Sequence, residues 1–410
     1  MDADAKTTDA EHNPFEAMDA LAGDTRDPYP EFAEKRKHDP VWRGTLMDHS
    51  NVPPEFIPDE EWAVFRYEDV SRVFRDPKHF SSEGYNETIG LVMGPTILGM
   101  MGTPHREHRN LVANAFKERS LQRWEPEFIA PVCHQLIDEV IEEGHADLVR
   151  ALTFEFPVRV IVRILGLPAE DLDMFKRLSM QLIGIAGNME TGFNASLALQ
   201  EYFQAQIDAR RSKPTDDVIN DLVTAEVDGE KLTDEAIVSF LRLLLPAGVE
   251  TTYRSSGNLL YLLLTHPEQL AAVRRDRSLV PQAIEEGLRR ETPLTNVARF
   301  ATSDVEMGGK VIPEGATVGV CMGSANHDET RWDNAEAFDI FRPPIPHISF
   351  AAGPHVCLGM HLARLETRVA LNVVLDRLAD ITLDRDDGDP HIRGMIFRSP
   401  TSLPVAFRAA

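Results

Sequence analysis

The stretch F350-A-A-G-P-H-V-C-L-G-M360 holds Cys357, one of only three cysteines in 410 residues. Gly353 and Gly359 flank it, and His355 stands two positions before it. The apolar run L358GMHLARLETRVALNVVL375 follows at once with helical spacing. A thiolate at a helix N-terminus is stabilised by the helix dipole and by unpaired backbone N–H groups, so its pKa is expected to fall. Three roles fit such a sulfur: nucleophile, redox sensor or metal ligand. A nucleophile needs a base, and His355 could serve, although residues two apart on an extended loop share a direction without having to touch. The two glycines predict that something large and flat approaches the backbone closely. Phe350 is placed to shield the sulfur from water.

The other two cysteines read as buried, inert thiols. Cys133 lies in the helical pattern EPEFIAPVCHQLIDEVI, and Cys321 closes the strand-like TVGVC. Three cysteines supply neither a disulfide framework nor a four-cysteine cluster. Lys and Arg number 42 against 66 Asp and Glu, and the net charge of −24 argues against nucleic acid and anionic membranes as partners. Hydrophobic content of 43% and charged content of 26% are those of a soluble globular chain. No apolar stretch approaches the roughly 20 residues that span a bilayer. The N-terminal MDADAKTTDAEHNPFEAMDALAGD is acidic and lacks the basic-then-apolar order of a signal peptide. Residues 1–26 are therefore expected to form a mobile acidic tail, residues 27–410 a single domain, and the protein to be cytoplasmic.

Helical periodicity dominates from Tyr29 to Thr292, interrupted early by the strand-like WAVFR at 62–66. From Val297 short strands take over, VARFATSDVEM and then GGKVIPEGATVGVCM, with Gly308–Gly309 and Pro313–Gly315 as turn signals. Residues 379–409 read as a last β-hairpin region. The fold class is mainly α with a minor β portion. The longest helix pattern runs from Asp234, behind the N-cap-like Thr233, to Thr265, about 48 Å at 1.5 Å per residue. Pro246 and Gly248 break its middle and predict a kink, either a packing device or a functional site. In T215DDVIND221, Asp216, Asp217 and Asp221 could hold Mg²⁺ and a diphosphate, as in an all-α terpene synthase. No second metal motif accompanies them, and helix capping is the favoured reading.

A single thiolate in an apolar, N–H-rich pocket suits the axial position of haem iron, where it favours O–O cleavage. F350-A-A-G353-P-H355-V-C357-L-G359, followed by Ala363, resembles the haem-binding loop of the cytochrome P-450 superfamily, a long and specific signature. It departs at Ala351, where many members carry glycine. Ala247-Gly248-Val249-Glu250-Thr251-Thr252 resembles the family's oxygen-activating stretch in its central helix, with Pro246 a less usual neighbour. There Gly248 would leave room for dioxygen. The Thr251 hydroxyl would bond the Ala247 carbonyl and donate a proton, and Glu250 would relay protons from solvent. Glu286 and Arg289 match the family's Glu-x-x-Arg pair, which joins a buried network with an arginine, here Arg342. His105 and Arg109, four apart, together with Arg299 and His355 match the family's propionate-binding set. The resemblance runs from D27PYPEFAEKRKHDPV41 to the C-terminal hairpin.

The resemblance implies a triangular helical prism around a buried haem b (iron protoporphyrin IX) ligated by Cys357. It implies a monooxygenase that inserts one atom of O2 into a substrate C–H or C=C bond. The chain holds no Gly-x-Gly-x-x-Gly after a strand and no iron–sulfur cysteines, so electrons are expected from a separate ferredoxin and ferredoxin reductase, with NAD(P)H serving only indirectly. Arg106, Lys117, Arg119, Arg364 and Arg368 would form the basic docking face. Family positions of the pocket fall at Leu98, Leu244, Ala247, Leu294, Val297, Ile396 and Phe397. Their apolar character points to a terpenoid, steroid or alkyl-aromatic held by shape. A monomer is expected. A peroxygenase would carry Arg-Pro in place of Glu250–Thr251, and a haem gas-binding protein would need no proton relay.

Overall fold

Thr233 does cap the long helix: its hydroxyl accepts the Ala236 N–H at 3.2 Å, and the helix runs Asp234–Leu245 and Thr251–Thr265 before Pro267. The expected kink takes the form of a π-helical turn over Pro246–Glu250. The wider turn accommodates the proline, which lacks the N–H that would bond the Arg242 carbonyl. This computed structural model describes residues 23–49, 54, 57–186, 188–227, 229–386 and 388–410. Of the tail expected over 1–26, residues 1–22 lie outside the described residues.

The largest hydrophobic cluster surrounds this central helix, and a second lies against a five-stranded sheet. Edge to edge the sheet runs Val41–Arg43, Glu61–Val64, Thr317–Cys321, Asn296–Ala301 and Phe80–Ser81. Thr317–Cys321 pairs parallel to Glu61–Val64 and antiparallel to Asn296–Ala301. The short strands Val305–Met307 and Lys310–Ile312 turn at Gly308 and Gly309, both with positive φ. The C-terminal strands Leu378–Leu383 and Pro404–Ala409 pair as expected but also recruit His145–Asp147, too short to show alternation in sequence.

Two buried arginines organise the fold around the site. Arg289 donates to Glu286 twice at 2.8 Å, and to the carbonyls of Asn326, Ala335 and Ala337 at 2.9, 2.7 and 2.9 Å. Arg342 joins the same carboxylate at 3.4 Å. Arg242, on Asp234–Leu245, donates to Met93 O at 2.6 Å, Val92 O at 3.3 Å, Ser196 Oγ at 3.0 Å and Gln200 Oε1 at 3.3 Å. All four are neutral acceptors. Arg242 thereby straps the short helix Ile89–Met93 and the helix Met189–Ser212 across the central helix. Arg242→Met keeps most of the volume and takes the guanidinium from Met93 O and Gln200 Oε1, while Val92 O keeps the Ser196 hydroxyl at 2.5 Å. It is expected to cost about 3 kcal/mol in denaturant unfolding and to expose 89–93 and 189–212 to proteolysis. Unchanged stability and cleavage would show that the strap is dispensable.

Candidate active site

The Cys357 loop is closed by its own backbone: Cys357 N–H donates to Phe350 O at 2.9 Å, and Val356 N–H to Gly353 O at 3.2 Å. Gly353 has φ +71, and a Cβ there would sit 2.2 Å from the Phe74 carbonyl oxygen. The glycine is thus required by a neighbouring protein segment, which corrects the expectation that it admits a ligand. Gly359, with nothing within 4 Å of a built Cβ, remains open to close approach. Ala351 takes φ 59, a left-handed conformation that favours glycine. A left-handed alanine costs roughly 1 kcal/mol.

Cys357 is the exposed cysteine of the three; Cys133 and Cys321 are buried, with thiols pushed up to about 12. The Cys357 side chain touches open space while lying deep in the fold. That depth raises its thiol pKa, against the opposing pull of the Gly359 N–H, Arg109 and Arg364. The expected depression by the helix terminus is therefore outweighed by desolvation, and a bound cation is what would hold the sulfur as thiolate.

The central helix presents a matching face. Leu244, Ala247, Gly248 and Thr251 stand at i, i+3, i+4 and i+7, and each is partly or fully accessible, whereas Leu245, Val249, Glu250 and Thr252 are buried. The Thr251 hydroxyl donates to Ala247 O at 2.8 Å, as expected. A Cβ at Gly248 would lie 2.8 Å from Ile161 Cδ1, the movable tip of a side chain on the helix Glu155–Ile164, so the glycine also lets that side chain approach. Glu250 does not face solvent. It is buried and accepts from Arg254 Nη2 at 3.0 Å, and burial raises its pKa while Arg254 pulls it down. Arg254, one turn on, is legible in the sequence as an i,i+4 partner of Glu250.

His105, Arg109, Arg299 and His355 do come together. The His105 and His355 rings lie 4.0 Å apart, and Arg109 donates to Val356 O in the Cys357 loop. Arg299 donates to Ala298 O at 2.7 Å. Burial and the mutual field of His105, Arg299 and Arg109 push His355 down to about 3; His105, Arg109 and Arg299 are lowered mainly by burial. None of the four pairs with a carboxylate among the described residues, and the buried His105 Nε2 has no partner. Such a set fits a ligand with anionic arms. These residues fit a haem: Cys357 would offer a soft sulfur ligand, the basic set would meet anionic arms, and the small-residue helix face would leave room for a flat group.

The seven pocket positions are each partly buried or exposed. Leu98 and Leu244 pack on the central-helix core, Leu294 and Val297 on the sheet core. Leu294 bridges Phe397, and Ile396 O accepts the Thr295 N–H at 2.8 Å. Ala363 O accepts from Thr367 Oγ1 at 2.8 Å, one turn into the helix Met360–Arg377. The basic face is weaker than expected. Arg364 is held by Glu285 at 2.6 and 2.8 Å and Arg368 by Glu125 at 2.7 Å, which leaves Arg106, Lys117 and Arg119 without an ion pair among the described residues. Glu285, held also by His347, is pulled down to about 2 by hydrogen bonds from Arg364 and His347 despite burial. A surface cleft of about 980 Å³ opens here, lined by Glu285, His347, Phe350 and Arg364; none of the pocket positions borders it. Asp217 accepts the Asn220 N–H at 2.9 Å and caps Val218–Thr224, while Asp216 pairs with Arg123. Among the described residues no acidic or His/Cys group is placed to hold a metal ion by itself.

The family model for cytochrome P450 matches residues 150–402, more than half of the sequence. The chain belongs to the cytochrome P450 family. It is similar to the cytochrome P450 monooxygenase PikC of Streptomyces venezuelae, 34% identical, with 93% of this chain and 91% of that protein covered. Among solved structures it resembles cytochrome P450 CYP109Q5 from Chondromyces apiculatus, at a TM-score of 0.85 and 36% identity, covering 94% of this chain and 96% of that one. It also resembles CYP109E1 from Bacillus megaterium in complex with testosterone, at a TM-score of 0.83 and 32% identity, covering 93% and 99%. The P450 fold and the mainly α class are thus established. This P450 is a monooxygenase of the bacterial type, and membership implies a haem-thiolate cofactor. No helix among the described residues is long and apolar enough to cross a membrane.

Proposed function

We propose that this P450 binds haem b through Cys357 and oxidises a small apolar molecule, with electrons from a separate ferredoxin and its NAD(P)H-dependent reductase. The observation that carries the reading is the accessible Cys357 whose loop is held by Arg109, one of four basic groups that share a space with no paired carboxylate among the described residues. A haem, when bound, supplies the reduction of dioxygen and the insertion of one oxygen atom into a substrate C–H or C=C bond. Cys357 would ligate the iron, and Phe350, Gly353, Gly359 and Ala363 shape the loop and helix that present it. His105, Arg109, Arg299 and His355 would hold the propionates, whose charge would also restore protons to the two imidazoles.

Ala247 and Gly248 keep the helix low where a flat group and a substrate must fit. Thr251, whose hydroxyl donates to Ala247 O, would pass a proton into that space, with Glu250 as the acid behind it. Leu98, Leu244, Leu294, Val297, Ile396 and Phe397 would select an apolar ligand by shape. The testosterone found in the similar CYP109E1 supports a steroid, terpenoid or alkyl-aromatic class. Arg106, Lys117 and Arg119 would contribute the remaining basic charge for an acidic ferredoxin.

Testosterone is the first probe: a saturable low-to-high-spin shift supports this class, and no shift with any steroid, terpenoid or alkyl-aromatic tried would overturn it. Thr251→Ala is expected to keep haem content and the spin shift, and to lower product formed per NAD(P)H at least about tenfold as hydrogen peroxide is released instead. Equal coupling in variant and wild type would remove Thr251 from proton delivery.

A further inference from the structure

Arg254 occupies an unusual position for a guanidinium. It is 4% exposed, on the buried side of the central helix, and it reaches in two directions at once. Its Nη2 donates to Glu250 Oε1 at 3.0 Å, and its Nη1 donates to Ser399 Oγ at 3.0 Å in the C-terminal strand Ser399–Pro400. The guanidinium also lies 5.3 Å from the ring centre of Phe397 and 5.0 Å from that of Tyr253. Phe397 is one of the expected pocket positions, and its backbone forms an antiparallel β-bridge with Leu294, another of them. A single side chain thus joins the acid behind Thr251 to the segment that walls the pocket.

We propose that Arg254 is a positioning residue that holds Glu250 as a closed, ionised pair in the resting enzyme and ties its release to the Phe397–Ser399 segment. The proposal rests on the proton-delivery role given to Glu250 above. The physical reason is that a buried carboxylate with one cationic partner cannot give up that partner without taking a proton or another donor. No other charged group among the described residues acts appreciably on Glu250: the packed C-terminal strand offers Ser399, and the central helix offers Arg254 alone. A movement of Phe397 on contact with a ligand shifts the guanidinium stacked near it, and so loosens Glu250. Proton supply would then follow pocket occupancy.

The test uses substrate-free holoenzyme, so it needs no identified substrate. Infrared difference spectra at neutral pH, assigned by Glu250→Gln, report whether Glu250 is ionised. The wild type and Arg254→Lys are expected to show no protonated-carboxyl band from Glu250, and Arg254→Gln is expected to show one. With ferredoxin, reductase and NADPH but no substrate, hydrogen peroxide release is expected to rise at least fivefold in Arg254→Gln and at least twofold in Ser399→Ala. Both rises should disappear when Glu250→Gln is added. A Glu250 that stays ionised in Arg254→Gln, or a rise that survives removal of Glu250, would overturn the proposal and leave Arg254 a packing residue. If Glu250→Gln alone alters neither coupling nor rate with substrate, the proton-delivery role itself falls, whereas the infrared band still reports on the pair.

Discussion

Cys357→His is expected to retain haem but to lose the strongly red-shifted Soret band of the reduced, carbon monoxide-bound protein, and to lose monooxygenase activity by about a hundredfold or more. Imidazole can take the axial position, but it lacks the electron donation of a thiolate. The loop that presents residue 357 is set by backbone bonds, Cys357 N–H to Phe350 O and Val356 N–H to Gly353 O, so the substitution leaves its frame in place. The buried Cys133 and Cys321 provide the controls. Changing either to alanine should leave the spectrum untouched, because neither sulfur touches open space. A variant at 357 that kept the red-shifted band would mean another residue ligates the iron, and the loop would lose its assigned role.

The second large effect belongs to Arg289. A guanidinium has five N–H groups, and here every one is used: two on Glu286 and three on the carbonyls of Asn326, Ala335 and Ala337. Arg289→Ala removes the side-chain donor from the buried carbonyls of Asn326 and Ala335, leaves the Ala337 carbonyl to Arg342 at 3.2 Å, and leaves Glu286 beside only Arg342 at 3.4 Å and the Asp339 N–H at 3.0 Å. Removing one partner of a buried pair costs about 3–5 kcal/mol, a large part of a domain's stability. The carbonyls belong to the segment that leads into the Cys357 loop, so haem retention is expected to fall with stability. Denaturant unfolding and haem-to-protein ratio measure the two. Arg289→Lys, with three donors in place of a planar fork, should fall between wild type and alanine. A stability loss below about 1 kcal/mol for alanine would show the network to be redundant.

Some of this chemistry was readable from order alone because it depends on near neighbours. The Thr251-to-Ala247 bond is a four-residue relation on a helix, and so are the matching positions of Leu244, Ala247, Gly248 and Thr251. The Cys357 loop likewise closes over seven residues, and Glu286 and Arg289 meet within one turn. What failed to show were relations across distance. Arg364 and Arg368 read as free basic charge, yet Glu285 and Glu125, from other helices, neutralise them. Gly353 read as a ligand's clearance, yet its neighbour is the carbonyl of Phe74, almost three hundred positions away. Glu250 read as a relay of protons from solvent, and the fold buries it against Arg254.

The sequence by itself determined the family-like loop, the interrupted central helix and the four basic positions, because motifs and helical spacing are local. Only the tertiary structure decided that those four basic groups share one space with no paired carboxylate among the described residues, that Cys357 opens onto space while its thiol is raised, and that Arg254 links Glu250 to Phe397 and Ser399. The physical reason is desolvation. Burial sets which charges are paired, which protons are held and which donors lack partners, and burial is a property of elements packed together, which no single stretch of chain contains.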